Sequence, residues 1–457
     1  MKSKYLFFFA QAHHEFRLPE IQSLCELYGF EVRFVEDEPD PTKPFMIIEM
    51  EKEEHARLLA KRSILIKAVY DYYGHAATYE ELHSINMQNR DKWEKYIPDT
   101  SFRFIVSAYN HTIPQRRQRE VVETFAYMDF LGKIDMKTPD ITLAVFEEYN
   151  LRHGVTRAKH EGDGAFQQVY FGRLVVTGSA RSLIATFDVK KRAYFGNTSM
   201  EAEISLLMAN QTLAAPGTLL YDPFMGTGSM AYPTGNFGAM VYGSDIDGRQ
   251  MRGKGDTPGV YKAAHQYGIS SKIADLCTFD VTHNPWRRGD LFDAIITDPP
   301  YGVRAGAKRL GRKRDLTPAQ LEAYFEHRTS PTADTQPYIP PTKPYELSQL
   351  AVDLVLLARY LLKPNGRLVF FLPTVNEEYQ EVDIYSMLCP GMEVLANSLQ
   401  DFGSWGRRLV TIRKTTAESF PPPTFESKTE GGDGQDDRAP AHKDFREKYF
   451  RGFKEAG

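Results

Sequence analysis

"LLYDPFMGTGSM", residues 219–230, runs from apolar residues into Asp222 and then through Gly226-Thr227-Gly228 before a second apolar stretch. A short buried strand, a glycine turn and a helix is the order in which open parallel sheets offer backbone N–H groups to a nucleotide-like ligand. A tight strand-to-helix turn with nothing bound needs the same glycines, so this stretch speaks for a fold before it speaks for a function. The next apolar run, "AMVYGSD", ends on Asp245. That is about 20 residues past the turn, where a carboxylate accepts hydrogen bonds from both hydroxyls of a ribose. Asp245 is the better ribose acid than Asp247, which lies a step into the loop. Asp222, Pro223, Gly226, Gly228 and Asp245 are thus the first candidate cofactor-binding residues.

Outward from this turn, strand-like and helix-like runs alternate from about residue 200 to 415: "EISLLMANQTLA", "GTLLYDPF", "AMVYGSD", "GVYKAAHQYG", "IADLCTFDV", "FDAIITD", "SQLAVDLVLLARYLL" and "GRLVFFLP", closed by "EVLANSLQ" and "RRLVTIRK". That alternation predicts an α/β domain with a mostly parallel sheet covered on both faces, in the strand order 3-2-1-4-5-7-6. Residues 1–85 read β-α-β-β-α-β, the pattern of a ferredoxin-like domain. Residues 86–190 read as a second small α+β unit, with strands over "SFRFIVSAYN", "ITLAVFEEY", "QVYFGRLVVTG" and "SLIATFDV". A linker over 191–200 leads into the domain at 201–415. The remainder, 416–457, is rich in Pro, Gly and Asp and predicts a largely disordered tail. It ends in a short helix with Phe445, Tyr449 and Phe453 on one stripe, docked on the parent domain.

Composition excludes several classes. With 457 residues, 42% of them hydrophobic and 25% charged, the chain is a folded protein of several domains. Its longest apolar stretches fall short of the roughly 18 residues a membrane span needs, so no membrane association is expected. Three scattered cysteines, Cys25, Cys277 and Cys389, give neither a disulfide framework nor a metal-ligand spacing, which fits a reducing, cytoplasmic setting and no metal. A formal charge of −4 leaves any polyanion binding to local patches. One patch is Arg116, Arg117 and Arg119; another, beginning at Arg304, carries Lys308, Arg309, Arg312, Lys313 and Arg314 without an acid among them. Either is equally a solvated loop when taken alone.

The glycine turn and Asp245 fit NAD or S-adenosylmethionine alike. "LFDAIITDPPY", residues 291–301, separates the two. In the expected sheet, strands ending at Asp222 and Asp298 flank the crevice at the topological switch point, so both motifs face one pocket. Asp280, ending "CTFD", is placed to accept from an adenine amine, or is a strand-end turn residue. An exocyclic amine on a nucleobase is a poor nucleophile because its lone pair is delocalised into the ring. Asp298 and the Pro299 carbonyl can accept its two N–H bonds and aim the lone pair at a methyl sulfonium. Pro299 and Pro300 hold the turn rigid, and Tyr301 is placed to stack on a base that has left its helix.

With "YDPFMGTGS", "DPPY" and "GNTSM" (196–200), the chain resembles Rossmann-fold, S-adenosylmethionine-dependent amino-methyltransferases bearing [DNS]-P-P-[YFW], and within them the eukaryotic tRNA guanosine N2-methyltransferases acting at position ten. The resemblance covers essentially the whole chain. It implies a THUMP domain at 86–190 that binds tRNA and a place for Thr198 beside the methionine moiety of the cofactor. It also implies a small zinc-binding activator subunit. In a 3-2-1-4-5 sheet the strand 272–281 lies at an edge and offers unpaired backbone groups to such a partner.

Arg116, Arg117, Arg119, Lys308, Arg309 and Arg312 are the candidate RNA contacts, and the 302–346 insertion a lid that orders on tRNA. Three alternatives stay open: an adenine-N6 or glutamine-N5 methyltransferase, which uses related motifs; an NAD-dependent oxidoreductase, which leaves DPPY unexplained; and a non-catalytic tRNA-binding protein.

Overall fold

The structure, a computed structural model, describes residues 2–109, 111–150, 164–253, 259–301, 306–312, 317–329, 341–425, 442–445 and 447–449. The chain divides into two compact units, Met1–Ser182 and Leu183–Gly457.

The first unit is built on one seven-stranded sheet. Its strands are β1 (Ser3–Phe9), β2 (Arg33–Phe34), β3 (Phe45–Met50), β4 (Ile66–Ala76), β5 (Phe102–Tyr109), β6 (Ile141–Tyr149) and β7 (Phe166–Thr177), in the order β2-β3-β1-β4-β7-β6-β5. The antiparallel pairing of β4 with β7 joins the strands of 1–85 to those of 86–190. Four strand spacings separate β3 from β6, about 19 Å in a flat sheet. Yet the rings of Phe45 and Phe146 lie 5.1 Å apart, and Phe45 meets Tyr170 at 4.8 Å. The sheet therefore curls around an aromatic cluster drawn from both segments.

The segment "SLIATFDV" does not form the expected strand. Ser182–Thr186 is helical. Leu183 and Ile184 are half-buried and Phe187 is buried, a spacing of one and four residues that matches a helix face instead of a two-residue alternation.

The second unit carries β8 (Leu219–Asp222), β9 (Met240–Asp245), β10 (Ile273–Thr278), β11 (Phe292–Thr297), a short pair β12 (Lys308–Leu310) and β13 (Thr342–Pro344), then β14 (Leu362–Val375), β15 (Met392–Asp401) and β16 (Trp405–Lys414). The large sheet runs β10-β9-β8-β11-β14-β16-β15, the 3-2-1-4-5-7-6 order. β10, β9, β8, β11 and β14 are parallel, while β16 is antiparallel to both β14 and β15. The helix Leu347–Leu361 covers one face with Leu354, Val355, Ala358 and Leu361, which pack on Phe292, Ile295, Leu368 and Phe370. The order of connection reverses between β8 and β11, so a crevice opens outside their carboxyl ends.

Part of the tail is bound to this unit. Ser419 Oγ donates to Asp290 at 2.6 Å, and the Arg359 guanidinium lies 4.2 Å from the Phe420 ring centre. Phe445 and Tyr449 close on Trp405 at 5.8 and 5.4 Å. Phe453 lies outside the described residues.

Candidate active site

Four strands of the large sheet end in or beside an acid: Asp222 after β8, Asp245 after β9, Asp280 beyond β10 and Asp298 beyond β11. Apolar strands deliver these carboxylates to one end of a parallel sheet, where low dielectric and mutual repulsion penalise charge. Asp222 is 1% exposed, and its Oδ1 accepts from Phe224 N–H at 3.0 Å and from the Thr297 hydroxyl at 2.8 Å. Burial pushes its carboxyl up to about 7 against those hydrogen bonds, with Asp245 and Asp298 adding repulsion. Among the described residues its Oδ2 accepts no hydrogen bond.

The glycine turn is tied to Asp245, whose Oδ2 accepts Gly226 N–H at 2.9 Å while Oδ1 accepts Asp247 N–H at 2.9 Å. Burial raises the Asp245 carboxyl above its usual range. Asp247 is committed elsewhere: it holds Arg249 at 2.8 Å and caps the helix Gly248–Arg252.

Gly226 and Gly228 have φ of +51° and +81°, backbone that side chains rarely adopt. A Cβ on Gly228 would fall 2.8 Å from the Tyr232 hydroxyl, whereas on Gly226 it would meet only the Phe224 carbonyl at 3.8 Å. Gly228 serves packing; Gly226 borders open space that a ligand can approach.

The "GNTSM" loop lies against this turn. Ser199 and Thr227 hydroxyls are 2.7 Å apart, Met200 N–H donates to Ser229 Oγ at 3.0 Å, and Arg192 donates to the same oxygen at 2.9 Å. Thr198 itself is exposed, one residue from that contact. Sequence reading missed Ser199, Thr227 and Ser229, although all three stand inside or beside the motifs it singled out.

At the DPPY turn, Tyr301 donates its hydroxyl to Asp298 Oδ1, so in this structure the ring is tied to the acid. Burial pushes the Asp298 carboxyl up to about 7, opposed by the nearby Arg407 guanidinium and assisted by Glu201. Neither of those two residues was legible as part of a site. Pro299 is buried and Pro300 half-buried.

Asp280 accepts Thr282 N–H at 2.9 Å through Oδ1 and Leu310 N–H through Oδ2. The acid at the end of β10 thereby anchors the β12–β13 pair at the base of the insertion. Ala307 and Tyr345 of that base pack with Leu350 and Phe224.

Among the basic candidates, Arg116 and Arg119 are exposed on the helix Gln115–Glu123, with Arg116 paired to Glu120 at 2.8 Å. Arg117 instead turns toward the fully buried Glu147 at 3.4 Å and over the Tyr79 ring at 5.5 Å. Lys308 and Arg312 are exposed, and Arg309 lies over Tyr345 at 5.4 Å. Arg304, Lys313 and Arg314 lie outside the described residues. Among the described residues no group of three metal-ligating side chains converges.

The donor chemistry of S-adenosylmethionine fits this set. Its ribose hydroxyls, adenine amine, ammonium and sulfonium all favour carboxylates, and Asp222 brings an oxygen to which no described residue donates. The Gly226 turn leaves room for close approach.

Comparison with known proteins agrees. Residues 3–181 match the family model described as the Tmrp11 THUMP N-terminal domain, and residues 190–331 match the RMKL-like methyltransferase domain. The chain is 36% identical to tRNA (guanine(10)-N(2))-methyltransferase of Saccharomyces cerevisiae, over 98% of this chain and 99% of that protein. It is 33% identical to tRNA (guanine(10)-N(2))-methyltransferase TRMT11 of Homo sapiens, over 98% of this chain and 96% of that protein. Among solved structures, TrmN from Thermus thermophilus aligns over 90% of this chain and 99% of that one, with 17% identity and a TM-score of 0.40. By its full-length identity to these curated relatives, the chain belongs to the family of S-adenosylmethionine-dependent tRNA (guanine(10)-N2)-methyltransferases.

Proposed function

We propose that this chain transfers a methyl group from S-adenosylmethionine to the exocyclic N2 amine of the guanosine at position ten of tRNA. The observation that carries the reading is the DPPY turn at the carboxyl end of β11, braced through Thr297 to the Asp222 strand end beside the Gly226 turn. S-adenosylmethionine, when bound, supplies an electrophilic methyl group on a sulfonium sulfur. Asp245 would hold the ribose, Asp222 the ammonium and Asp280 the adenine side, with Thr198 near the methionine moiety.

Asp298 and the Pro299 carbonyl accept the two N–H bonds of the target amine. That orients the nitrogen lone pair and stabilises the positive charge growing there. The Tyr301 hydroxyl must release Asp298 for this, freeing its ring to stack on the flipped base. Pro299 and Pro300 keep the carbonyl fixed as the base enters.

Two further elements complete the reading. The family resemblance brings a small zinc-binding activator, and β10 is the place that favours one: among the described residues it is an edge strand paired with β9 alone, with Ala274 exposed and Tyr261 of the adjoining helix 48% exposed. The reading includes a reducing, cytoplasmic setting, which three free cysteines support; among the described residues no helix is long and apolar enough to cross a membrane.

The test is transfer of labelled methyl groups to unmodified tRNA transcripts, with the product nucleoside mapped. Label in N2-methylguanosine at position ten is the expected result; label only in DNA, in a protein or at adenine would overturn the reading. Full activity of the isolated chain would remove the activator from it.

A further inference from the structure

Asp298 leaves β11 one residue beyond Thr297, which lies opposite Phe370 of β14. Residues in register across a sheet share a face, and faces alternate along each strand. Asp298 is therefore level with Phe371 and on its face, as is Pro373 two residues on. Arg407 of β16 lies opposite Pro373, and Gln400 of β15 lies opposite Arg407, so Arg407 and Gln400 extend that face across the sheet beyond Phe371 and Pro373.

The row is tightly organised. The Arg407 guanidinium lies 4.7 Å from the Phe371 ring centre, and its Nη1 approaches Met200 Sδ at 3.3 Å. Its Nη2 donates to Gln400 Oε1 at 2.6 Å and to Glu201 Oε1 at 3.0 Å. Gln400 Nε2 donates to the same Glu201 oxygen at 2.7 Å. Glu201 precedes the helix Ala202–Gln211 and follows the "GNTSM" loop directly. Its side chain is 52% exposed against 12% for Arg407. Both donors hold Oε1, and among the described residues Oε2 accepts nothing. The charges of Arg407 and Glu201 both act on Asp298, in keeping with the register that places Arg407 on the face Asp298 shares.

A carboxylate pinned by one oxygen presents the other in a defined direction. The Watson–Crick edge of guanine carries, next to the N2 amine, an N1–H donor. Adenine and 2-aminopurine have a bare acceptor nitrogen there. We propose that Glu201 is the residue that reads the target base: Oε2 accepts guanine N1–H, while Arg407 and Gln400 act as positioning residues on Oε1. The proposal rests on the methyl-transfer reading and deepens it, since the DPPY turn alone grips any exocyclic amine.

Two tRNAs carrying guanosine or 2-aminopurine riboside at position ten, prepared by ligation, test this through kcat/KM for wild type and Glu201→Gln. Both bases offer the same N2 amine. The wild type is expected to favour guanosine by about 100-fold or more, because a site built around a donor leaves its carboxylate unpaired against a purine lacking it. In Glu201→Gln the amide oxygen stays toward Arg407 and Gln400, so the NH2 group takes the place of Oε2 and donates to N1 of 2-aminopurine. The guanosine preference is then expected to collapse or invert, with S-adenosylhomocysteine affinity unchanged.

Glu201→Asp, which keeps the charge, should slow guanosine methylation but retain the preference. A Glu201→Gln enzyme with the wild-type ratio overturns the proposal, as does a wild type that turns over both substrates equally; the latter decides the matter even where the variant fails to fold. No methylation of the guanosine tRNA by wild type under any condition strikes the underlying methyl-transfer reading instead.

Discussion

The Thr297 hydroxyl donates to Asp222 Oδ1 across 2.8 Å, and the two residues end β11 and β8 on either side of the point where the sheet reverses its order of connection. This one bond sets the spacing between the glycine turn and the DPPY turn. A hydrogen bond to a buried charged group is worth roughly 1.5–3 kcal/mol. Thr297→Val keeps the shape and removes the donor. It should lower the melting temperature by several degrees and reduce kcat more than it raises KM, because a small misplacement of the amine relative to the methyl donor is costly. Melting curves and steady-state kinetics check both; an unchanged kcat would show that the brace is dispensable.

Asp298→Ala should reduce turnover by orders of magnitude while tRNA affinity changes less than about threefold, since the acid acts on the reacting amine and not on the polyanion. Filter binding beside single-turnover kinetics separates the two. A parallel loss of affinity would mean that Asp298 serves binding.

Activity should rise with pH. The Asp298 carboxyl must be ionised to stabilise the positive charge that grows on the amine, and burial lifts it and Asp222 to about 7. The log of kcat/KM should therefore climb through about pH 7 and level off above it. Replacing Arg407 with Gln withdraws the cation that opposes this shift and should move the midpoint upward. Stability has the opposite sign: acids raised in the folded state bind more protons there than when unfolded, so their contribution declines as pH rises from about 4 to about 7. A pH–rate profile for wild type and Arg407→Gln, with melting curves over the same range, tests each sign.

Asp245 and Asp247 should separate cleanly in cofactor binding. Asp245→Ala removes the acceptor for Gly226 N–H and the proposed ribose contact, and should weaken S-adenosylhomocysteine at least about tenfold. Asp247 is bound to Arg249 on the surface, so Asp247→Ala should change affinity less than about threefold. Calorimetric titration decides, and equal effects would move the ribose away from Asp245.

The three arginines of the helix Gln115–Glu123 should behave differently from one another. Arg116→Gln with Arg119→Gln should weaken tRNA binding and flatten its salt dependence by one to two phosphate contacts, or about 1–2 in slope. Arg117→Met should leave the slope alone and lower stability, because it strips the cation from fully buried Glu147. Binding across a salt series, with melting temperatures, distinguishes the roles.

Sequence alone determined where the strands of the second unit end and what they end in. Apolar runs and the acids, glycines and prolines that stop them are local features, and connection rules leave few sheet orders for such a series. Asp222, Asp245, Asp280 and Asp298 were therefore readable as one row. Local pattern also misread "SLIATFDV", where a short apolar run fits strand and helix alike until packing chooses.

Tertiary structure alone decided which oxygens are left without a donor among the described residues and which distant side chains meet beside the strand ends. Glu201 and Arg407 stand 206 residues apart and meet through the register of β14 with β16, while Arg117 reaches the buried Glu147 that the Tyr79 and Tyr149 hydroxyls also bond. The curl of the first sheet likewise depends on Phe45 reaching Phe146. The physical reason is common to all three: strand ends are written in neighbouring residues, whereas register, burial and charge pairing are properties of surfaces that exist only once the chain has closed upon itself.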